Sequence, residues 1–229
     1  MVIKDTKAVA CILFLLLLSI ALTRHMVWDY YTIATSSMEP TILTGETVRT
    51  YNLPGIRKIR PNDIIIFYKP VGHKKDEVYC KRTLGCPGDR IGAVDGHYWN
   101  DRVLRPIGVV EEQEKLRWMF EGFFRLSDSY VIFPFSNTDW NIKNWGPVVV
   151  PAKGWTVTLD SITRELYRTV IELETGEPLK DCLMEYTFKG DYYYAVGDNA
   201  MSSFDSRYWG FIPEDFIIGI VGGKRFRNK

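Results

Sequence analysis

The sequence predicts a mainly β protein behind a single membrane segment, and three observations carry that prediction. Beyond residue 28 the apolar residues come in short runs or alternate with polar ones, the period of strands rather than of helices. Gly, Pro, Asn and Asp punctuate those runs at turn-like intervals. Ahead of them Ala8 to Thr23, "AVACILFLLLLSIALT", carries no charge at all.

That apolar run is flanked by Lys4 and Lys7 on one side and by Arg24 and His25 on the other. It is shorter than the roughly 20 residues that cross about 30 Å of hydrocarbon, and Met26, Val27 and Trp28 extend it if Arg24 snorkels. Ser19-Ile20-Ala21 is a small-x-small tripeptide, so a cleaved leader competes with a retained anchor. The stretch is longer than a usual leader core, which favours an anchor over residues 8–27. The two lysines before it put residues 1–7 in the cytoplasm and residue 28 onward outside.

Strands follow the anchor. "DIIIFYKP" reads as a buried strand ended by Pro70, and "EVYCKRTLG" as a second strand after the polar loop "VGHKKDE". "DRIGAV" and "HYWND" flank Asp95-Gly96, a two-residue hairpin signal because both turn positions call for positive φ. "TVTL", "DYYYAVGD" and "FIIGIVGG" complete the strand set. Two helices interrupt it. One spans Ile162 to Glu174, with Ser161 as cap, Ile162, Leu166 and Val170 four apart, and Gly176 after the end. The other lies within "VVEEQEKLRWMFEGFF", and "NWGPVVVPAKGW" reads as a Pro- and Gly-broken connection. Residues 95–190 therefore read as an inserted α+β subdomain between two β segments, 28–94 and 191–229.

With 46% apolar and 25% charged residues in 229, the chain can bury a real core. Its formal net charge of +1 leaves no polyelectrolyte footprint, which argues against nucleic acid as a partner; the basic tail "KRFRNK" reads as a solvated end.

The catalytic possibilities narrow by elimination. His25 lies at the membrane edge, His73 in a charged loop and His97 beside a hairpin turn, and no Gly-x-Ser-x-Gly elbow exists, so a Ser-His-Asp hydrolase has no support. Cys11, Cys80, Cys86 and Cys182 include no Cys-x-x-Cys, so no metal site is expected. They read as free buried thiols, with a Cys80–Cys86 bridge the alternative in an oxidising compartment. What remains is a row of hydroxyls, Thr35, Ser36 and Ser37, just downstream of the apolar segment, and Lys81 within a strand. Alternation sends Lys81 to one face with Tyr79 and Thr83, and Cys80 and Arg82 to the other. On that pattern alone Lys81 is either a solvated edge charge or a buried lysine. If buried, desolvation lowers its pKa from about 10.4, and the neutral amine can take a serine proton.

Three blocks weigh against the solvated reading. "SSMEPT" at 36–41, "KRTLGCPGDRI" at 81–91 and "GDNAMSSFDSRYWGFIP" at 197–213, in this order after one apolar segment, resemble the motif set of the type I signal peptidases. These are membrane-anchored Ser/Lys endopeptidases that remove signal peptides from exported proteins. The resemblance covers most of residues 30–222, loosely over about 100–190. It implies an antiparallel β catalytic domain on the outer face of a bacterial cytoplasmic membrane, acting without a cofactor or metal.

By that resemblance the serine before Met38, Ser37, is the nucleophile and Lys81 the general base. Thr35 matches a hydroxyl, usually a serine in the family, that joins the Ser37 N–H in binding the oxyanion. Ser203 matches the serine that holds the lysine amine. Asp205 and Arg207 match a structural ion pair, with Arg82 beside the base as further support. Ile33, Met38, Ile42 and Cys80 match the lining of pockets for small residues before the cut. The chain departs from the pattern where the common "GDNRDNS" reads "GDNAMSS", with Ala200 and Met201 in place of an Arg-Asp pair, and at Cys86, where an apolar residue usually precedes Pro-Gly-Asp. The implied partners are signal peptides of exported preproteins and the lipid bilayer. A catalytically idle anchored β domain, and a self-cleaving Ser/Lys protein of the LexA type, are the rival readings.

Overall fold

The computed structural model describes residues 9–16, 28–51, 58–70, 77–118 and 140–227. Residues 9–16 form a helix, α1, whose side chains are exposed. The rest of the segment 8–27 expected to be an anchor, with His25, lies outside the described residues, as does His73. Among the described residues no helix is long and apolar enough to cross a membrane.

The β reading holds for the remainder. Strands β1 (Trp28–Thr32), β2 (Glu46–Tyr51), β3 (Ile64–Tyr68) and β4 (Val78–Gly85) are followed by β5 (Arg90–Val94) and β6 (His97–Asn100). Helix α2 (Val110–Arg117), β7 (Trp145–Val149), β8 (Thr156–Thr158), α3 (Ser161–Thr175) and β9 (Glu185–Thr187) come next. The chain then forms β10 (Tyr192–Val196), α4 (Ser206–Trp209), β11 (Ile212–Pro213) and β12 (Ile217–Arg227). A seven-stranded sheet runs β1-β2-β12-β3-β4-β10-β11, beside a three-stranded sheet β6-β5-β7 and the pair β8-β9. Every pairing is antiparallel.

Local chemistry explains the elements. Asp95 and Gly96 turn the β5–β6 hairpin with φ of 51° and 84°, as an Asp-Gly pair requires. Helix α3 is capped by Asp160 rather than by Ser161: its carboxylate accepts from the Ile162 and Thr163 N–H groups, and the Thr163 hydroxyl accepts from the Asp160 N–H. The buried face of α3 is Leu166, Tyr167, Val170 and Ile171, so Ile162 in the first turn is left exposed. Gly176 ends the helix in the left-handed conformation, φ 72°. The segment "NWGPVVVPAKGW", expected as a connection, contains β7. Its Pro147 is tolerated because β7 is an edge strand, where a missing N–H breaks no ladder.

Burial sets the site's surroundings. The largest apolar cluster joins Leu84, Tyr194, Val196 and Phe211 to residues from 91 to 188, including Trp145, Tyr167 and Phe188. A second gathers Ile65, Phe67, Ala195 and Trp209, and a third Ile33, Met38, Ile42, Val48, Ile66 and Cys80. Strand β4 runs between β3 and β10 among these clusters, so from Cys80 to Gly85 only Arg82 escapes full burial.

Candidate active site

Ser37 sits in a single 3-10 turn, Ser36–Met38, just after β1, and is 6% exposed. Met38 anchors that turn in the third cluster with no exposure. Lys81 lies at the centre of β4, paired with Ile65 of β3, and is 3% exposed. Its Nζ donates to Ser37 Oγ at 2.6 Å across 44 residues of chain. The Tyr79 ring centroid lies 5.5 Å from the same nitrogen.

Burial is the largest influence on Lys81 and lowers its pKa below the ordinary lysine value; Asp205 opposes this, and Cys80, Arg207 and Asp198 act more weakly. The neighbouring thiol responds in the opposite sense. Burial pushes the Cys80 pKa up to about 12, so Cys80 stays protonated and is no rival nucleophile.

Thr35, the residue before the turn, does not cap it with its side chain. Its hydroxyl lies instead 3.3 Å from Ser37 Oγ, on the exposed side of the pair. Ile33, Ile42 and Cys80 pack with Met38 into one cluster under the turn, so the four residues expected to line the substrate pocket do converge.

The third sequence block closes around the turn from behind. Asn199 N–H donates to the Ser37 carbonyl at 3.1 Å, and Asn199 Nδ2 to the Ser36 carbonyl at 3.2 Å. A Cβ at Gly197 would collide with Ser203 Oγ and with the Ser37 carbonyl, so this close approach demands glycine. Asp205 and Arg207, both without exposure, form a bidentate pair at 2.8 Å through Nε and Nη2, and Asp205 also accepts from Gly197 N–H at 2.9 Å. Burial would raise the Asp205 pKa, but Arg207 outweighs it and holds the carboxyl below the usual range. Arg207 is in turn raised by Asp205 against its own burial.

Ser203 departs from expectation in one respect. It is 5% exposed and lies against Gly197, but among the described residues its hydroxyl makes no hydrogen bond to Lys81; the charged group it adjoins is instead Asp205, whose carboxyl it helps to hold low. Ala200 is buried and Met201 exposed, so the charge bracing in this block falls to Asp205–Arg207 and to a pair that the sequence reading left unassigned. That pair is Arg82 with Asp198, joined by Nε–Oδ1 at 2.7 Å and Nη2–Oδ2 at 2.6 Å. Gly197, Asp198 and Asn199 all stand inside a quoted motif, but nothing in the sequence marked their partners, which lie far away in the chain.

The other nucleophile partners recede. His97, on β6 of the three-stranded sheet, has its Nε2 3.0 Å from Glu114 on α2. All four cysteines are free, Cys11 and Cys182 exposed rather than buried. Among the described residues no three His, Cys, Asp or Glu side chains group as metal ligands.

An antiparallel β protein that buries a desolvated lysine against a serine hydroxyl has the equipment of a Ser/Lys hydrolase. A sequence profile of the family described as "Signal peptidase, peptidase S26" matches residues 6–223, and the chain belongs to that family. It is 27% identical over 228 residues to the Signal peptidase I of Buchnera aphidicola subsp. Acyrthosiphon pisum (strain APS), across 90% of this chain and 70% of that one. With the Signal peptidase I of Aquifex aeolicus (strain VF5) it shares 26% over 211 residues, covering 90% and 79%. With that of Bacillus caldolyticus it shares 28% over 203 residues, covering 88% and 81%.

Proposed function

We propose that this chain is a serine endopeptidase of the signal peptidase I type, which cleaves signal peptides from exported preproteins through Ser37 and Lys81. The carrying observation is the 2.6 Å contact between Ser37 Oγ and the Nζ of a lysine only 3% exposed. Neutral Lys81 takes the Ser37 proton as Oγ attacks the scissile carbonyl carbon, and the carbonyl electron pair moves onto oxygen. The Thr35 hydroxyl and the Ser37 N–H donate to that oxyanion, where one preorganised donor contributes roughly 3 kcal/mol. Collapse expels the new N-terminal amine, which leaves with the proton from Lys81. Water then attacks the acyl-enzyme carbonyl and gives its proton to Lys81, which passes it to the departing Ser37 Oγ, so the signal peptide is released with the Ser37 hydroxyl and the neutral amine restored.

The substrate binds extended, its backbone pairing with a strand and its small side chains directed at Ile33, Met38, Ile42 and Cys80. Ser203 orients the lysine, and Arg82, Asp205 and Arg207 support the site. Residues 8–27 anchor the chain in the cytoplasmic membrane of a bacterium. Residues 28–94 and 191–229 form the catalytic domain on its outer side, with 95–190 as an insertion. Because the substrate is itself membrane-bound, the nucleophile follows closely after the anchor.

The test is to incubate purified full-length protein in detergent with a preprotein bearing an Ala-x-Ala site and to map the cut by mass spectrometry. Cleavage after the second Ala is expected, with Ser37→Ala inactive and Ser36→Ala active. No cleavage, or loss with the Ser36 change alone, overturns the assignment. The rate should rise with pH through one apparent pKa below 10.5; a peak centred at pH 6–7 would indicate a histidine instead.

A further inference from the structure

We propose that Asn62, in the turn before β3, is a positioning residue for the Lys81–Ser37 pair and acts through Arg82. The proposal rests on the Ser/Lys reading of the site. Asn62 has φ 77°, a left-handed conformation that a non-glycine residue rarely adopts. Its one other non-glycine counterpart among the described residues is Asp95 in the β5–β6 hairpin. Asn62 belongs to no hairpin turn of that kind, and every hydrogen-bonding group it has is engaged.

Its backbone N–H donates to the Thr83 carbonyl at 2.9 Å, which ties the turn to β4. Its carbonyl accepts from Arg82 Nη1 at 2.9 Å. Its side-chain Nδ2 donates to the Pro106 carbonyl at 3.0 Å while its Oδ1 accepts from the Gly108 N–H at 2.9 Å. One asparagine thus holds the guanidinium next to the general base with its main chain and grips the 106–108 loop with both ends of its amide.

That loop is the roof of the Arg82–Asp198 pair. A Cβ on Gly108 would stand 3.5 Å from Asp198 Oδ1 and 3.8 Å from Arg82 Cδ. Gln113 on α2, 3% exposed, holds the loop from the far side by donating to the Ile107 carbonyl at 2.7 Å. The roof keeps water off a bidentate pair whose carboxylate is fully buried and whose guanidinium is 14% exposed. From Asp198 the next residue, Asn199, reaches the Ser36 and Ser37 carbonyls. The links run without a gap from the 106–108 loop through Asn62, Arg82 and Asp198 to the nucleophile turn. Arg82 also adjoins Lys81 in β4, where the two side chains leave on opposite faces.

Releasing the roof admits water toward Arg82 and loosens the arginine from Asp198. The groups that act on Lys81 are Asp205, Arg207, Asp198 and Cys80, beside the Tyr79 ring. Hydration and a less balanced Asp198 carboxylate both favour the ammonium, so the base's pKa moves up.

The experiment uses the full-length protein in detergent and a peptide spanning an Ala-x-Ala site. Asn62→Gly keeps the backbone conformation and removes only the amide grip; Asn62→Asp keeps the acceptor for Gly108 and loses the donor to Pro106. For Asn62→Gly we expect kcat to fall about tenfold with KM within about twofold, and the apparent pKa of the rate profile to rise. Asn62→Asp should fall between Gly and wild type. In an Arg82→Lys background Asn62→Gly should cost less than about twofold, because the two act in series. A native circular-dichroism spectrum with unchanged kcat and pKa, or full additivity with Arg82→Lys, overturns the proposal. If Asn62→Gly does not fold, Asn62→Asp decides by the same measurements, and failure of both to fold assigns Asn62 to stability alone. Failure of the Ser/Lys reading is distinguishable, since wild type would then not cleave the peptide, or Ser37→Ala would.

Discussion

Two basic side chains lie buried behind the Ser36–Met38 turn, and the fold treats them in opposite ways. Lys81, 3% exposed, has a neutral serine hydroxyl as its hydrogen-bond partner and is pushed toward its neutral form. Arg207, with no exposure, is clasped through two bonds by Asp205 and is held as a cation. Burial alone therefore does not decide protonation: a guanidinium keeps its proton by intrinsic basicity and is braced by a contacting carboxylate, whereas an amine without one yields to desolvation. A desolvated charge is sustained only by a counter-charge in contact, and Lys81 is given none. Asp205 acts on both cations, but Arg207 holds it at 2.8 Å, so Lys81 experiences one end of a close ion pair rather than a bare carboxylate. One pair of opposite charges is thereby available to brace the turn while the neighbouring amine remains free to accept a proton.

The strongest way to break this comparison is to give position 81 a cation that cannot lose its proton. Lys81→Arg should lower the cleavage rate at least about a thousandfold while keeping the native circular-dichroism spectrum, because guanidinium does not deprotonate at accessible pH. Appreciable activity in that variant would mean that neutrality at residue 81 is irrelevant.

A smaller effect is expected from dissolving the paired cation. Arg207→Met leaves the Asp205 carboxylate buried without a partner, a change that costs about 3–5 kcal/mol. Urea unfolding followed by fluorescence measures it, and a loss under about 1 kcal/mol would show that the pair does not brace the fold. Activity that survives should titrate at a higher pKa, since Asp205 raises Lys81 once Arg207 no longer balances it.

Smaller again, and opposite in sign, is the expected effect of Lys81→Met. Removing a desolvated amine should stabilise the protein by about 1 kcal/mol at pH 7, since apolar replacement of buried charge is often neutral or favourable. The sign with pH follows from the lowered pKa. The unfolded chain binds the lysine proton up to its ordinary 10.5 and the folded one releases it earlier. Wild type therefore gains stability as pH rises through the folded pKa, and the advantage of the methionine variant should shrink toward pH 10.5. Thermal melts at pH 7 and pH 10 test it, and a constant difference would place Lys81 outside the desolvated class.

The least effect is expected at Cys80, next to Lys81. With its thiol held at about 12, brief iodoacetamide treatment at pH 8 should label the exposed Cys182, spare Cys80 and leave cleavage unchanged. Rapid labelling of Cys80 with loss of activity would indicate a site more open than its 9% exposure.

The sharpest local signals predicted their elements well. Asp95-Gly96 is a hairpin turn because its φ demands are settled by two residues. "DIIIFYKP" became a strand because an uninterrupted β-branched and aromatic run has one economical arrangement, and "EVYCKRTLG", following it after one polar loop, pairs antiparallel beside it. Errors arose where neighbouring residues compete. Asp160 took the cap expected of Ser161 because its carboxylate reaches two N–H groups and Thr163 completes the box. Trp145–Val149 became a strand despite Pro147, because an edge position forgives a missing donor, and edge status is not written in a segment. Nothing in "ETVRTY" or "EYT" marked β2 or β9 as strands, since both are short and half polar.

By itself the sequence determined which residues to propose for the chemistry, because Ser37 and Lys81 stand in motifs legible without any contact. It left Lys81 poised between a solvated edge charge and a buried base. Only the tertiary structure decided between them, by setting β4 between β3 and β10 and bringing a turn 44 residues away to within 2.6 Å of the amine. Likewise, Asn62 is an ordinary turn residue in sequence and becomes a clamp only when the 106–108 loop folds back upon it. The physical reason is one of range. Backbone preference is set within a few residues, whereas desolvation and pairing depend on whatever distant chain comes to rest against a side chain.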